Sequence, residues 1–374
     1  MKSRFDEKLM IAAFCGFLGV MSLLFILLPK EKFSPLEKRY LSDPPVLNWE
    51  NLSSGKFGSD VESYMADYIP GRNFFVGLNA YVDLLTGRQV SKGVYAAEGN
   101  RLVQAPVVWN EAQAQQNMQA INNFAEKIGR EVDLMLVPSA GWAAQDTIVG
   151  LSDPYEDEEL IQRLYDLCGE GVRTIDLTSV IKAQPDPASL YYRTDHHWTT
   201  EGAYLAYETY MQLLGRDYRA KEDFTVETAS GFQGSTYSES ALWLTPGEDI
   251  EMWHGSSNIT VTNGENPEPH QGVFYQERLE EADKYTVFLD GNHSIVRITN
   301  PDAKGKGKLL VIRDSYSNCL GTLLTESYEE VVLVDLRYYK NPVSQLCAEE
   351  NFNDVLVCYS MDNIMTDTNL VWLQ

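Results

Sequence analysis

Apolar residues fall along this chain in three rhythms. The first is continuous. Leu9 to Leu28 is a run of 20 residues without a charge, interrupted only by Ser22 and two glycines. As a helix it spans about 30 Å, the thickness of a bilayer's hydrocarbon core. A cleavable leader has a shorter apolar stretch and ends in small residues, whereas this one ends Leu27-Leu-Pro-Lys-Glu-Lys32. The pattern predicts an uncleaved anchor at 9–28 behind a cytoplasmic tail of residues 1–8. Lysines and arginines flank the run on both sides, so they do not orient it. The short N-terminal tail predicts that everything after Pro29 is extracytoplasmic.

The second rhythm is helical. Phe57, Val61, Tyr64 and Met65 share one face, and Phe74 to Leu85 form another beyond a break at Pro70-Gly71. Glu111 to Ile128 is amphipathic, Glu158 to Leu167 and Thr178 to Ala183 read as shorter helices, and so does Asn318 to Thr325. Ala203, Ala206, Tyr210, Leu213 and Leu214 line one face of a further helix, with Thr199 or Thr200 as its cap.

The third rhythm is the short, unbroken apolar run of a buried strand. Glu131–Pro138, Val172–Leu177, Lys308–Arg313, Glu330–Leu336 and Asp354–Tyr359 fit it. Strands of this kind separated by helices predict an α/β fold with a mostly parallel sheet covered by helices on both faces. Three departures complete the plan. Phe33 to Val46, with Pro35, Pro44 and Pro45, reads as an extended arm that lifts the domain off the membrane, so residues 29–109 are an arm with N-terminal helices. Val94-Tyr95 and Leu102-Val103 flank a Gly99-Asn100 turn and predict a hairpin. Within the α/β domain of 110–374, residues 222–306 turn to short alternating runs, Asn258–Asn263 and Thr286–Asp290 among them, and predict an inserted β-rich lobe.

Composition narrows the function. Hydrophobic residues at 44% and aromatics at 11% describe a folded core. A formal net charge of -24 lacks the footprint of a nucleic-acid binder. Of five cysteines, Cys15 lies in the apolar run. Cys168, Cys319, Cys347 and Cys358 show no C-x-x-C spacing, so no zinc or redox motif is indicated, although an exported domain admits a disulfide or two. No cofactor motif is present.

Candidate chemistry sits in two stretches. In Asp195-His196-His197-Trp198, the acid and His197 are two apart, so an extended backbone puts both side chains on one side. That suits a carboxylate orienting an imidazole base. Far downstream, the strand Lys308–Arg313 runs into Asp314-Ser315-Tyr316-Ser317-Asn318. A serine at the carboxyl end of a buried strand, ahead of a helix N-terminus, is placed as a nucleophile with backbone N–H groups nearby for an oxyanion. The alternative is that Asp314 and Ser315 only cap the helix. His196 reads as structural. Trp142, Trp198 and Trp243 are either core aromatics or sugar-stacking rings.

Thr194-Asp-His-His-Trp-Thr-Thr-Glu-Gly-Ala-Tyr204 resembles the signature of bacterial DHHW proteins, which are similar to the SGNH-like alginate O-acetyltransferases of the bacterial envelope. Ser34-Pro-Leu-Glu-Lys-Arg-Tyr-Leu41, Tyr68-Ile-Pro-Gly-Arg72 and Gly231-Phe-Gln-Gly-Ser-Thr-Tyr-Ser238 fit as well. The resemblance implies an SGNH-hydrolase-like fold with Ser315 as nucleophile, His197 as base and Asp195 as its orienter. It implies a membrane-anchored acetyltransferase or esterase acting on a cell-envelope polysaccharide or exopolysaccharide, with a membrane-bound O-acyltransferase as acyl donor. Arg313 stands where that group has glycine before Asp-Ser. It is expected to pair with an acid or face the cleft, and with Asn318, Tyr192 and Arg193 it joins the candidate substrate or oxyanion residues. Two other readings stay open. One is a carbohydrate-binding or assembly module with an idle triad. The other is a metal-dependent phosphoesterase using Asp-His-His, which lacks the upstream Asp-x-Asp such enzymes need.

Overall fold

A computed structural model describes residues 2–88, 90–150, 152–264, 266 and 268–374. The chain divides into two compact units, Met1–Ser91 with Ala241–Trp243, and Lys92–Ser240 with Leu244–Gln374.

The larger unit is built on a sheet of eight strands. Their order is His270–Gln271, Thr260–Asn263, Ile295–Thr299, Glu330–Val334, Lys308–Arg313, Asp354–Ser360, Val132–Val137, Val172–Ile175. The last five of these are mutually parallel. They are the strands predicted from unbroken apolar runs, and such runs suit strands buried on both faces. Leu134, Leu136, Leu310, Ile312, Val332 and Val357 point to one face, where Ile121 and Phe124 of helix Glu111–Ile128 and Leu160 and Leu164 of helix Asp157–Tyr165 cover them. On the other face Asp133 accepts a hydrogen bond from Tyr210 of helix Thr200–Leu214 at 2.8 Å. There Gly321 of helix Ser317–Leu324 sits so close to Leu333 that a Cβ would lie 2.9 Å from its Cδ2.

The sheet is mixed, and this corrects the sequence picture. Three strands from residues 222–306 do not form a separate lobe but extend the main sheet: Ile295–Thr299 pairs antiparallel with Glu330–Val334, Thr260–Asn263 with Ile295–Thr299, and His270–Gln271 with Thr260–Asn263. Without them the buried strand Glu330–Val334 would present a bare edge, which folded sheets avoid. Only Thr225–Phe232 and Glu248–His254 stand apart, as their own antiparallel pair. Thr286–Asp290 is not a strand. It is a 3₁₀ turn at Lys284–Val287 followed by two left-handed residues, Leu289 (φ 57°) and Asp290 (φ 63°). The hairpin Val94–Ala97 with Arg101–Gln104 forms as predicted, its turn carried by positive φ at Gly99 and Asn100.

In the smaller unit, helix Lys2–Leu27 contains a segment, Glu7–Leu27, long and apolar enough to cross a membrane. The arm that follows is folded rather than extended. Phe33–Ser34 pairs antiparallel with Arg39–Tyr40, and charge clamps this hairpin to helices Lys56–Tyr68 and Arg72–Leu85. Asp67, 9% exposed, accepts from the Arg39 guanidinium and from both the N–H and hydroxyl of Ser42. The Arg39 hydrogen bond holds its carboxyl well below the usual carboxylate range. Glu37 pairs with Arg39 at 2.6 Å and with Arg72 at 2.5 Å. Proline content argues for an extended arm; four acid–guanidinium contacts among Glu37, Arg39, Asp67 and Arg72 bend it back instead. They join two fragments, 34–41 and 68–72, that stand apart in sequence.

Candidate active site

The carboxyl ends of the five parallel strands share one edge of the sheet, and the turn leaving Lys308–Arg313 there carries one part of the site. Strand Lys308–Arg313 delivers Ser315 two residues past its end. Asp195 and His197 come from the irregular stretch before helix Thr200–Leu214, which Thr199 caps by accepting from the Gly202 N–H. Gly202 is needed there. A Cβ would lie 2.3 Å from the Leu190 carbonyl oxygen, against which the stretch folds back in the Tyr191–Trp198 bridge.

The two distant stretches meet. Ser315 Oγ lies 2.7 Å from His197 Nε2. His197 Nδ1 lies 2.5 Å from Asp195 Oδ1, which also accepts the His197 backbone N–H at 2.9 Å. The other carboxylate oxygen of Asp195 accepts the Ser235 N–H at 2.7 Å. With Nδ1 donating to the carboxylate, Nε2 is left to accept from the serine hydroxyl. Burial holds the His197 pKa below its ordinary 6.5, and the neighbouring His196 pushes the same way against the opposing pull of Asp195. The imidazole is therefore neutral at pH 7, the state a base requires. Asp195 is 2% exposed, His197 6% and Ser315 9%, so accessibility increases toward the serine.

The serine's neighbours hold this geometry. Asp314 does cap the turn, accepting from the Tyr316 N–H at 3.0 Å. Its second oxygen accepts from the Ser360 N–H at 2.7 Å and the Asn363 side chain at 2.9 Å, tying the turn to the end of the adjacent strand. Because Asp314 occupies the Tyr316 N–H, that donor is not aimed at an oxyanion. Ser315 caps nothing through its hydroxyl, which is turned to His197. Trp198 is buried and donates to the Tyr316 carbonyl at 3.0 Å, so it is a strut of the site rather than a stacking platform.

Arg313 neither pairs with an acid nor reaches the open edge. It is fully buried, and its Nη1 donates to Asn292 Oδ1 at 3.0 Å and to Asn318 Oδ1 at 2.5 Å. Asn318 in turn donates to Asn292 at 3.0 Å. Burial pulls the Arg313 pKa down, with Asp335 the foremost opposing charge. Its Nε and Nη2 have no hydrogen-bond partner among the described residues. The reason is positional: as the last residue of the central strand it points into the protein, while Asp314 turns to the opposite side. Tyr192 is buried edge-on against Phe232. Arg193 is bound by its N–H to Glu248 at 2.8 Å and by its guanidinium to the Gly99 carbonyl at 3.3 Å.

Several residues of the site carried no sequence signal. Tyr285 stacks on His197, and Asn292 bridges Arg313 and Asn318. Both lie in the stretch read as a lobe. Gly234 had a trace in the Gly231–Ser238 fragment; a Cβ there would lie 2.1 Å from the Asp195 Cβ. Asp195, His196 and His197 present ligand atoms within 4.8 Å of one another. Both ring nitrogens of His197 are engaged, however, and His196 Nδ1 is 2.5 Å from Ser235 Oγ. All the cysteines are free thiols.

Residues 186–334 match the family described as DHHW protein. That match spans both Asp195-x-His197 and Ser315. The chain's fold is similar to that of a DHHW family protein from Eubacterium siraeum, at 22% identity and a TM-score of 0.64, covering 76% of this chain and 95% of that one. It is also similar to Bacillus cereus PatB1 carrying a sulfonyl adduct, at 23% identity and a TM-score of 0.62, covering 73% of this chain and 96% of that one. No curated protein matches the chain.

Proposed function

We propose that this protein is an SGNH-like O-acetyltransferase or esterase that works through Ser315, His197 and Asp195 on a cell-envelope polysaccharide or exopolysaccharide. The observation that carries the reading is the continuous hydrogen-bonded line from Ser315 Oγ through both nitrogens of His197 to Asp195. In it Ser315 Oγ attacks the carbonyl of an acyl ester as its proton passes to His197 Nε2. The imidazolium, steadied by Asp195, returns that proton to the departing alcohol and leaves an acyl-serine. A sugar hydroxyl or water then gives its proton to His197 and takes the acyl group, and as the acyl–Oγ bond breaks His197 returns that proton to Ser315 Oγ. Arg313 and Asn318, sealed from solvent, brace the nucleophile turn through Asn292. Tyr192 and Arg193 hold the loop that carries Asp195.

The apolar helix supports a membrane-anchored reading with 1–8 cytoplasmic and the remainder outside. A membrane-bound O-acyltransferase is the acyl donor this topology suits. The testing experiment gives the purified full chain a chromogenic acetyl ester, with and without sugar oligomers as acceptors. Expected are acetate release and acetylated oligomers, both abolished in Ser315→Ala. Equal turnover by Ser315→Ala would overturn the reading. For topology, surface labelling of intact cells through an exposed cysteine introduced at Leu244 should succeed.

A further inference from the structure

Helix Arg72–Leu85 carries its apolar stripe outward. At about 100° per residue, Phe74, Leu85, Leu78, Val82 and Phe75 fall within roughly a quarter to a third of its circumference. They are 66%, 87%, 47%, 44% and 45% exposed. The buried side is a different one, formed by Gly77 and Ala80. Five large apolar side chains side by side on one exposed face mark an interaction surface rather than scattered exposure.

Three observations within the same unit identify what covers it. The first is contact with the apolar N-terminal helix. Tyr64, on helix Lys56–Tyr68, meets Phe25 edge-on with centroids 6.1 Å apart, and Phe25 lies inside the segment apolar enough to cross a membrane. The Lys30 ammonium sits 3.9 Å from the Phe25 ring centre and 5.3 Å from that of Tyr68, the aromatic-and-lysine arrangement of a membrane–water boundary. The second is place. A cavity of about 280 Å³ runs from Leu28-Pro29, where the apolar helix has just ended, to Asn73 and Phe74 at the start of the stripe. The third is charge. Residues 1–91 hold ten Lys/Arg and ten Asp/Glu, so they are neutral, and residues 92–374 carry the whole net charge of -24. The repulsion that would keep so acidic a chain off anionic lipid is absent from this unit.

We propose that the stripe of helix Arg72–Leu85 lies in the headgroup layer of the bilayer entered by the N-terminal helix. The helix is then an interfacial element parallel to the membrane, its apolar side chains at the acyl boundary. This rests on the anchor reading given above and adds a second, non-spanning attachment to it.

The test uses the full chain reconstituted in vesicles of phosphatidylethanolamine and phosphatidylglycerol. The photo-crosslinker p-benzoylphenylalanine replaces Phe17 in the apolar helix, Leu78 or Leu85 on the stripe, or Asn79 on the polar flank, one at a time. Phospholipid adducts are read by mass spectrometry after illumination. Expected are adducts at Phe17, Leu78 and Leu85 and their loss at Asn79. Adding Phe74→Ser and Val82→Ser should remove the Leu78 adduct and leave the Phe17 adduct. Adducts at Phe17 with none at Leu78 or Leu85 would overturn the proposal while leaving the anchor standing. So would equal adducts at Asn79, or stripe adducts to this chain or a second copy. Absence of lipid adducts at Phe17 as well would overturn the anchor and the proposal together.

Discussion

The ring of Tyr285 lies flat against the imidazole of His197, with centroids 3.9 Å apart and planes 8° from parallel. The stack covers one face of the imidazole whose two nitrogens meet Asp195 and Ser315, and the Tyr285 hydroxyl reaches the Ser315 carbonyl at 3.4 Å. Tyr285→Phe keeps the stack and should change turnover by less than about threefold. Tyr285→Ala removes an aromatic pair of about 1 kcal/mol, which predicts a fall of roughly fivefold in turnover. It should also lower stability by about 3 kcal/mol through the cavity it leaves. Ester turnover and urea unfolding of the two variants check this.

The pKa of His197 sets the pH response. Because burial lowers it from 6.5, the acid limb of the rate profile should lie below pH 6.5, and activity should stay level from there to neutrality. The same shift makes the folded protein bind fewer protons than the unfolded chain, so stability should fall as pH drops below 6.5 toward the folded value. Burial pushes the Asp362 carboxyl up to about 6, into the neighbouring range. Asp362→Asn separates the two: the limb should stay where it is if His197 carries it.

Asp195→Asn should cost about four orders of magnitude in turnover, as an amide no longer fixes the imidazole tautomer. It should also cost about 1–3 kcal/mol in stability, because one of its two ends would then present N–H to a donor. Asp195 accepts from the Ser235 N–H on one side and from His197 on the other. The measurement is turnover beside the melting temperature.

Arg313→Gly should not improve catalysis. The side chain is fully buried and satisfies the amide oxygens of Asn292 and Asn318. Its loss leaves a large void and takes from Asn318 Oδ1 its donor, for a destabilisation of about 3 kcal/mol or more. Thermal unfolding should show that loss with no rise in ester turnover.

What the sequence discloses here follows from how local each signal is. Lys308–Arg313 and Glu111–Ile128 fold over their expected residues, since an unbroken apolar run and a 3.6-residue period are each complete within one element. The approach of His197 to Ser315 was inferable because each stretch has its own chemistry. The mixed sheet was not. Thr260–Asn263 and Ile295–Thr299 are short alternating runs, and alternation says which face is buried but not which strand is the partner. Thr286–Asp290 alternates as well, yet the left-handed Leu289 and Asp290 turn it out of any strand. Tyr285 and Asn292 have meaning only through contacts far away in sequence, with His197 and Arg313.

The central claim is that Ser315 is the nucleophile that His197 activates. The sulfonyl adduct described for PatB1 suggests the probe. The full chain is treated with an aryl or alkyl sulfonyl fluoride at pH 7.5, and the intact mass and the peptide containing Asp314-Ser315-Tyr316 are measured. Expected is one sulfonyl group per chain, on Ser315, with loss of ester turnover, no label in Ser315→Ala, and slow labelling in His197→Ala. An unlabelled wild-type protein, or a label on another residue while Ser315→Ala still turns over ester, would contradict it.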